Sequence, residues 1–192
     1  METTSILLTG VGGQGTILIS KILATGLASM GYDVKMSEVH GMSQRGGSVS
    51  TQVRWGEKVY SPFVGEGGAD ILLAFEKMEA VRYAPLLKPD GIAVINDYAL
   101  PSSTIAAGNA VYPEGCLEAM QEAFAVHSLP AAEIAQSLGN PKCMNLVMFG
   151  ALTVVLHLND IDWEEIIRNT VPAKFLELNL QAYRAGAAAV KQ

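Results

Sequence analysis

A chain of 192 residues, 49% hydrophobic and 17% charged, is long enough to bury a substantial core within one domain, and its apolar excess also leaves surface for a partner to cover. A net charge of −6 without any run of Lys or Arg gives nucleic-acid binding little electrostatic support. The longest apolar run, Leu146 to Leu158, is interrupted by Gly150, Thr153 and His157 and falls short of the roughly 20 residues that span a bilayer.

In chain order, Ser5 to Thr9 is a short apolar run that reads as a central strand. Gln14 to Met30 follows with Ile17, Leu18, the Lys21 stem, Ile22, Ala24, Leu27 and Ala28 at helical spacing, stopping at Gly31. Tyr32 to Val39, with Val34 and Met36 alternating against polar neighbours, reads as the second strand and completes a βαβ opening. The pattern then breaks. Glu38 to Gly47 reads as a loop, Val49 to Trp55 alternates, and Gly56-Glu57 suggests a tight turn back into Lys58 to Tyr60. That predicts a β-hairpin inserted where a Rossmann unit places its next helix.

Alternation of β and α resumes with Ala69 to Phe75 as a buried strand and Glu76 to Leu87 as an amphipathic helix. Pro89-Asp90-Gly91 reads as a turn ahead of the strand Gly91 to Asn96, and Phe124 to His127 as one more strand. From Pro130 on the signal is helical, with Met144 to Leu158 and Pro172 to Val190 as the long segments. The expected fold class is α/β: a Rossmann-like, mainly parallel sheet with an inserted hairpin and a helical C-terminal part, in a single domain over residues 1–192.

Two motifs carry chemistry. Gly10-x-Gly12-x-x-Gly15 follows a strand and opens a helix, and Glu38 stands 23 residues after Gly15, about where an acidic side chain meets a ribose hydroxyl in dinucleotide-binding folds. Gly10 would permit a tight turn, Gly12 close backbone approach to a ligand, and Gly15 close helix packing. The N–H groups of Gly13, Gln14 and Gly15 would face an anion. These features leave a nucleotide site and a purely structural turn both open. The second motif gathers His40, Ser43, Gln44 and Arg45 in a loop ahead of Gly46 and Gly47. An Arg fork suits carboxylate or phosphate, paired glycines suit a backbone passing close to another surface, and loops on rigid scaffolds concentrate function. A plain solvent bend is the alternative.

The remaining titratable residues are less informative. His127 and His157 lie in apolar surroundings without a second ligand at metal spacing and read as core or edge histidines. Glu164 and Glu165 fit the first turn of a helix. Cys116 and Cys143 stand alone and read as small buried hydrophobes in a reducing compartment; two lone thiols cannot ligate an iron–sulfur cluster or a Cys-rich zinc site within one chain. No basic region precedes an apolar stretch at the N-terminus, so a signal peptide is not expected and the location is expected to be cytoplasmic.

Taken together, GVGGQG (Gly10 to Gly15), SEVHGMSQRGGSV (Ser37 to Val49), ADILLAFE (Ala69 to Glu76), NLVMFGAL (Asn145 to Leu152) and PAKFLELNLQAYRAG (Pro172 to Gly186) resemble the gamma-type subunit of 2-oxoacid:ferredoxin oxidoreductases, in its indolepyruvate form. The resemblance implies an enzyme spread over several chains. A 2-oxoacid is oxidatively decarboxylated on thiamine diphosphate, electrons pass through iron–sulfur clusters to ferredoxin, and an acyl-CoA is released.

In the indolepyruvate type, thiamine diphosphate and the clusters belong to a large catalytic subunit. By that resemblance this chain is the accessory subunit, binds no cofactor of its own and is inactive alone. It is expected to contact the large subunit, with a homodimer as a further state when isolated. The glycine loop is then a scaffold, or a contact for CoA or another anion. Pyruvate or 2-oxoglutarate relatives remain alternatives to indolepyruvate, and a stand-alone NAD- or FAD-dependent oxidoreductase or a nucleotide-sensing module remains the contrasting reading.

Overall fold

The computed structural model describes residues 3–40 and 46–190, the His40 side chain excepted. Six strands form one sheet: β1 (Thr4–Val11), β2 (Asp33–His40), β3 (Ser48–Gly56), β4 (Ala69–Ala74), β5 (Leu87–Asn96) and β6 (Ala125–Leu129). Their order is β2-β3-β1-β4-β5-β6. β1, β4, β5 and β6 are parallel neighbours, whereas β3 runs antiparallel to both β1 and β2. The helices are α1 (Thr16–Ser29), α2 (Lys77–Tyr83), α3 (Ser103–Ala106), α4 (Cys116–Ala123), α5 (Ala131–Ser137), α6 (Met144–Val155), α7 (Trp163–Thr170) and α8 (Leu176–Val190).

The central strands read as continuous apolar runs because both of their faces are covered. Ile6, Leu8, Ile71, Leu73 and Val94 pack into one core with Ile19, Ile22, Leu23 and Leu27 of α1 and with α6 and α8. Leu7, Leu72, Ala74, Ala93 and Ile95 meet Ala80 of α2 and Met120 of α4 on the other side. The stripe expected on α1 is rotated: Ile17, Lys21 and Ala28 are exposed, and Ile19, Leu23 and Gly26 are buried in their place. The helix does end at Gly31, whose φ of 86° supplies the left-handed residue after the last turn.

The opening unit differs from the expectation in one decisive respect. β1 and β2 are not neighbours, because β3 lies between them. The hairpin is β2–β3, in register from Asp33↔Gly56 to His40↔Val49, and not the expected return of Val49–Trp55 into Lys58–Tyr60. The reason is occupancy: β2 and β1 fill both edges of β3, so no return strand can pair with it. Residues 57–64 instead cross the sheet, held by Val59 N–H donating to Asp33 (2.9 Å), Val64 N–H donating to Gln52 Oε1 (2.6 Å), and the Arg54 guanidinium donating to the carbonyls of Ser61 and Phe63. The turn expected at Pro89–Gly91 is absorbed into β5 as a shift of register against Ala69 and Ile71.

α6 and α8 cross with their backbones in contact. A Cβ on Gly150 would stand 1.9 Å from the Tyr183 carbonyl oxygen, and one on Gly186 would stand 1.8 Å from that of Val147. Phe149 lies beside the crossing, edge-on to Trp163 at 5.1 Å and tilted against Tyr183 at 5.9 Å. Among the described residues no helix is long and apolar enough to cross a membrane.

Candidate functional site

The conspicuous polar structure sits at the C-terminal edge of the parallel strands. There the connections from β1 and β4 depart toward opposite ends of the sheet, the place where α/β folds gather ligands. The glycine loop connects β1 to α1, but its glycines divide their labour differently from the expectation. Gly10 still belongs to β1 and makes no turn; a Cβ there would meet Gln14 Oε1 at 2.6 Å and Phe75 Cβ at 3.1 Å. The turn is made by Gly13 and Gly15, with φ of 102° and 85°, conformations that a side chain strains.

Gln14 folds back across this loop. Its Oε1 accepts from Val11 N–H (2.7 Å) and its Nε2 donates to the Phe75 carbonyl (3.2 Å), which also accepts from Asn96 Nδ2 (3.1 Å). Two amides, those of Gln14 and Asn96, thus fasten the ends of β1, β4 and β5 together through the Phe75 carbonyl. The expected row of free donors is incomplete, because Gln14 N–H donates to Val11 (3.1 Å).

Gly12, the residue whose backbone would approach a pyrophosphate, is paired on both sides: its N–H donates to Gly47 (2.8 Å) and its carbonyl accepts from Gly46 (3.4 Å). The expected close passage of Gly46 and Gly47 is therefore against the glycine loop itself. Gly46, with φ 77°, also accepts from Ser103 N–H at 3.2 Å. Glu38 lies in register with Thr51 and, through it, with Leu8. β3 occupies the position beside β1 that a ribose-binding strand holds, which leaves Glu38 two strand spacings from β1, about 10 Å, on an exposed edge.

A cavity of about 360 Å³ runs from Gly12 and Gly13 past Thr16 and Ile17 to Glu38 over Thr51. His40 closes β2 opposite Val49, and Ser43, Gln44 and Arg45 lie outside the described residues.

Two carboxylates that the sequence reading passed over anchor this end of the molecule. Glu76 is fully buried and accepts from Glu79 N–H (2.9 Å), Leu100 N–H (3.2 Å) and the Tyr112 hydroxyl. Glu79, 1% exposed, accepts from Arg82 Nε (3.1 Å) and the Ser48 hydroxyl. Glu76 caps α2, and Glu79 grips β3 immediately after Gly46-Gly47. Charge-assisted hydrogen bonds supply what burial takes from these carboxylates. The spacing Glu76-x-x-Glu79 at a strand-to-helix boundary resembles a capping box and was the available signal.

Burial first, and then the hydrogen bond to Glu76, hold the Tyr112 phenol well above its ordinary value; burial likewise raises Tyr183. The folded state therefore holds these protons more tightly than the unfolded chain. Their stabilisation is complete below the ordinary phenol value of about 10 and is lost as pH rises beyond it. Melting temperature measured from about pH 8 to 11 should fall in the wild type above pH 10, and less steeply in Tyr112→Phe. Parallel curves would remove Tyr112 from the cause.

His127 and His157 are exposed, not core. His127 lies on the edge strand β6, and His157, with φ 51°, takes the left-handed position that ends α6. Glu164 and Glu165 occupy the first turn of α7 as expected, and the Arg184 guanidinium holds Glu164 below the usual carboxylate range. Cys116 and Cys143 are buried, and burial pushes both thiols up from their ordinary value, away from the thiolate that ligates metals. Among the described residues no three His, Cys, Asp or Glu side chains gather as a metal site; the residues present do not fit an iron–sulfur cluster.

Residues 5–189 match the family described as pyruvate ferredoxin/flavodoxin oxidoreductase. The indolepyruvate oxidoreductase subunit IorB of Thermococcus kodakarensis is 38% identical over 198 aligned residues, covering 100% of this chain and 98% of that one. The gamma subunit of a keto/oxoacid ferredoxin oxidoreductase from Geobacter sulfurreducens superposes with a TM-score of 0.72 at 22% identity, covering 98% of each chain. The 2-oxoglutarate:ferredoxin oxidoreductase of Magnetococcus marinus superposes with a TM-score of 0.77 at 20% identity, covering 100% of this chain and 31% of that one.

Proposed function

The chain belongs to the pyruvate ferredoxin/flavodoxin oxidoreductase family, and from that premise we propose that it is the single-domain accessory subunit of an indolepyruvate-type 2-oxoacid:ferredoxin oxidoreductase. In this reading a large partner subunit carries thiamine diphosphate and the iron–sulfur clusters, and the assembly converts an aryl pyruvate and CoA to the aryl-acetyl-CoA and CO2 while reducing ferredoxin. End-to-end similarity to an indolepyruvate oxidoreductase subunit favours indolepyruvate over pyruvate or 2-oxoglutarate.

The observation that carries the accessory role is the double pairing of Gly12 with Gly46 and Gly47. A loop whose backbone is spent on its own neighbour has little left to offer a pyrophosphate. The glycine motif Gly10, Gly12, Gly13, Gln14 and Gly15 is accordingly a clamp that fixes the base of the loop from His40 to Gly47. Ser43, Gln44 and Arg45 of that loop are the residues we assign to the catalytic subunit or to the edge of its cofactor site. Glu38 lines the cavity beside the clamp and binds no ribose.

The test is co-expression of the tagged chain with a large subunit of the indolepyruvate type, followed by dye reduction with indolepyruvate and CoA. Stable co-purification and activity only in the assembled complex are expected; the chain alone is expected to be colourless and inactive, as a monomer or a homodimer. Turnover by the isolated chain would overturn the assignment. Calorimetry on the isolated chain should find NAD binding no tighter than about millimolar. Micromolar affinity abolished by Glu38→Ala would restore a nucleotide site.

A further inference from the structure

β5 ends at Asn96 and α4 begins at Cys116, and the only regular piece between them is the single turn of α3. Connections this long are uncommon in compact domains, and those that occur are usually functional. From Tyr98 to Pro113 this one contains no Asp, Glu, Lys, Arg or His, although 17% of the chain is charged. Yet it is surface. Between Pro101 and Val111 only Ser102 and Ile105 are half-buried, and Val111 is 91% exposed. Solvated surface ordinarily carries mixed charge, whereas the core of a protein–protein interface is depleted of it.

The loop is held from inside. Leu100 N–H (3.2 Å) and the Tyr112 hydroxyl donate to the same atom, Oε1 of the fully buried Glu76, so its two ends close on one oxygen. The Tyr112 hydroxyl also accepts from Met78 N–H at 3.2 Å. A buried carboxylate is an unusual anchor for residues 101–111, which belong to neither hydrophobic core. What it secures is a loop set in one shape before anything binds, which lowers the ordering entropy lost on association.

The middle of the loop adjoins the base of the loop that carries Arg45. Ser103 N–H donates to the Gly46 carbonyl (3.2 Å), and a Cβ on Gly46 would stand 3.7 Å from that of Ser103. A partner that engages Ser43, Gln44 and Arg45 therefore meets residues 101–111 next. Those three residues are too few by themselves, since a stable interface takes about 20–30 residues from each side. The contact must spread, and this adjoining stretch has no charge to desolvate. Absence of charge also suits a lasting contact over a charge-steered, transient one.

We propose that the loop from Pro101 to Val111 is a docking surface for the large catalytic subunit, continuous with the loop that carries Arg45. The inference rests on the accessory-subunit reading.

The test compares amide hydrogen exchange in the isolated chain with that in the co-expressed complex. Residues 101–111 should exchange about tenfold or more slowly in the complex. Ala107→Glu and Val111→Glu, both at exposed positions, should leave the melting temperature of the isolated chain unchanged and weaken assembly about tenfold or more. Exchange decides by itself should a variant fold poorly. A complex in which residues 101–111 exchange as in the isolated chain, or one that both variants form as tightly as wild type, overturns this surface and leaves the accessory role standing. Failure of the wild type to assemble overturns the accessory role and this surface with it. Protection that grows with the concentration of the isolated chain would make the occupant a second copy, which also overturns the proposal.

Discussion

Gly150→Val will not yield a folded chain. The crossing of α6 and α8 is backbone against backbone: a Cβ at position 150 falls 1.9 Å from the Tyr183 carbonyl oxygen and 2.8 Å from Ala187 N. Neither atom is the end of a flexible side chain, so the helices themselves must separate. Separation opens the contacts of Phe149 with Trp163 and Tyr183 and uncovers Leu146, Val147, Leu180 and Ala182, all buried. Overpacking and cavity formation then act together, and the loss exceeds about 4 kcal/mol. Against a total stability of about 5–15 kcal/mol, that removes most of the margin. Soluble expression and a thermal melt decide the matter, with the exposed Ala188→Ser as a control that should behave as wild type. A cooperative melt for Gly150→Val within a few degrees of wild type would mean that the two helices are not bound by this contact.

Arg45→Ala should leave the isolated chain with an unchanged melting temperature and weaken the assembled complex at least tenfold, a change of about 1.4 kcal/mol. The base of its loop is fixed from two directions, by Gly12 on Gly46 and Gly47 and by Glu79 on Ser48, so removing one side chain beyond that base does not disturb the sheet. Truncating an Arg paired with a carboxylate or phosphate across an interface costs about 2–5 kcal/mol, because the partner charge is left unpaired; a solvated Arg costs close to nothing. Complex formation and dye reduction, wild type against variant, separate these cases. Equal assembly and equal rates would make the loop a surface bend.

Much of the architecture was legible because it rests on local pattern. ADILLAF and GIAVIN announce strands covered on both faces, Gly31 announces the end of α1, and Glu164-Glu165 announce the first turn of α7. Strand order was not legible. Alternation from Val49 to Trp55 says that a strand exists and says nothing of its neighbours, and the tight dipeptide Gly56-Glu57 drew the hairpin to the wrong side. The decisive residues were Gly46 and Gly47, noticed as a place of close approach, whose partner proved to be the other glycine motif.

The site was legible to the same extent. The glycine loop and the loop after β2 were both singled out, but Glu76 and Glu79 were passed over, since a carboxylate in sequence is ordinarily a surface residue. Beyond the local donors Glu79 N–H and Arg82, their partners come from residues 48, 100 and 112, which only the fold brings together.

The position of β3 also fixes the order in which the chain can assemble. While β1, α1 and β2 are the only part of the sequence to have emerged from a ribosome, the native sheet cannot begin between them, because the two strands are separated by a seat that is still empty. β2 must wait for residues 48–56, with which it closes as a local antiparallel pair, an event of about 1–10 µs. The pair can then dock on one edge of β1 while β4 takes the other, so the sheet grows from β1 in two directions. Its antiparallel half begins from a two-stranded unit and not from a βαβ unit.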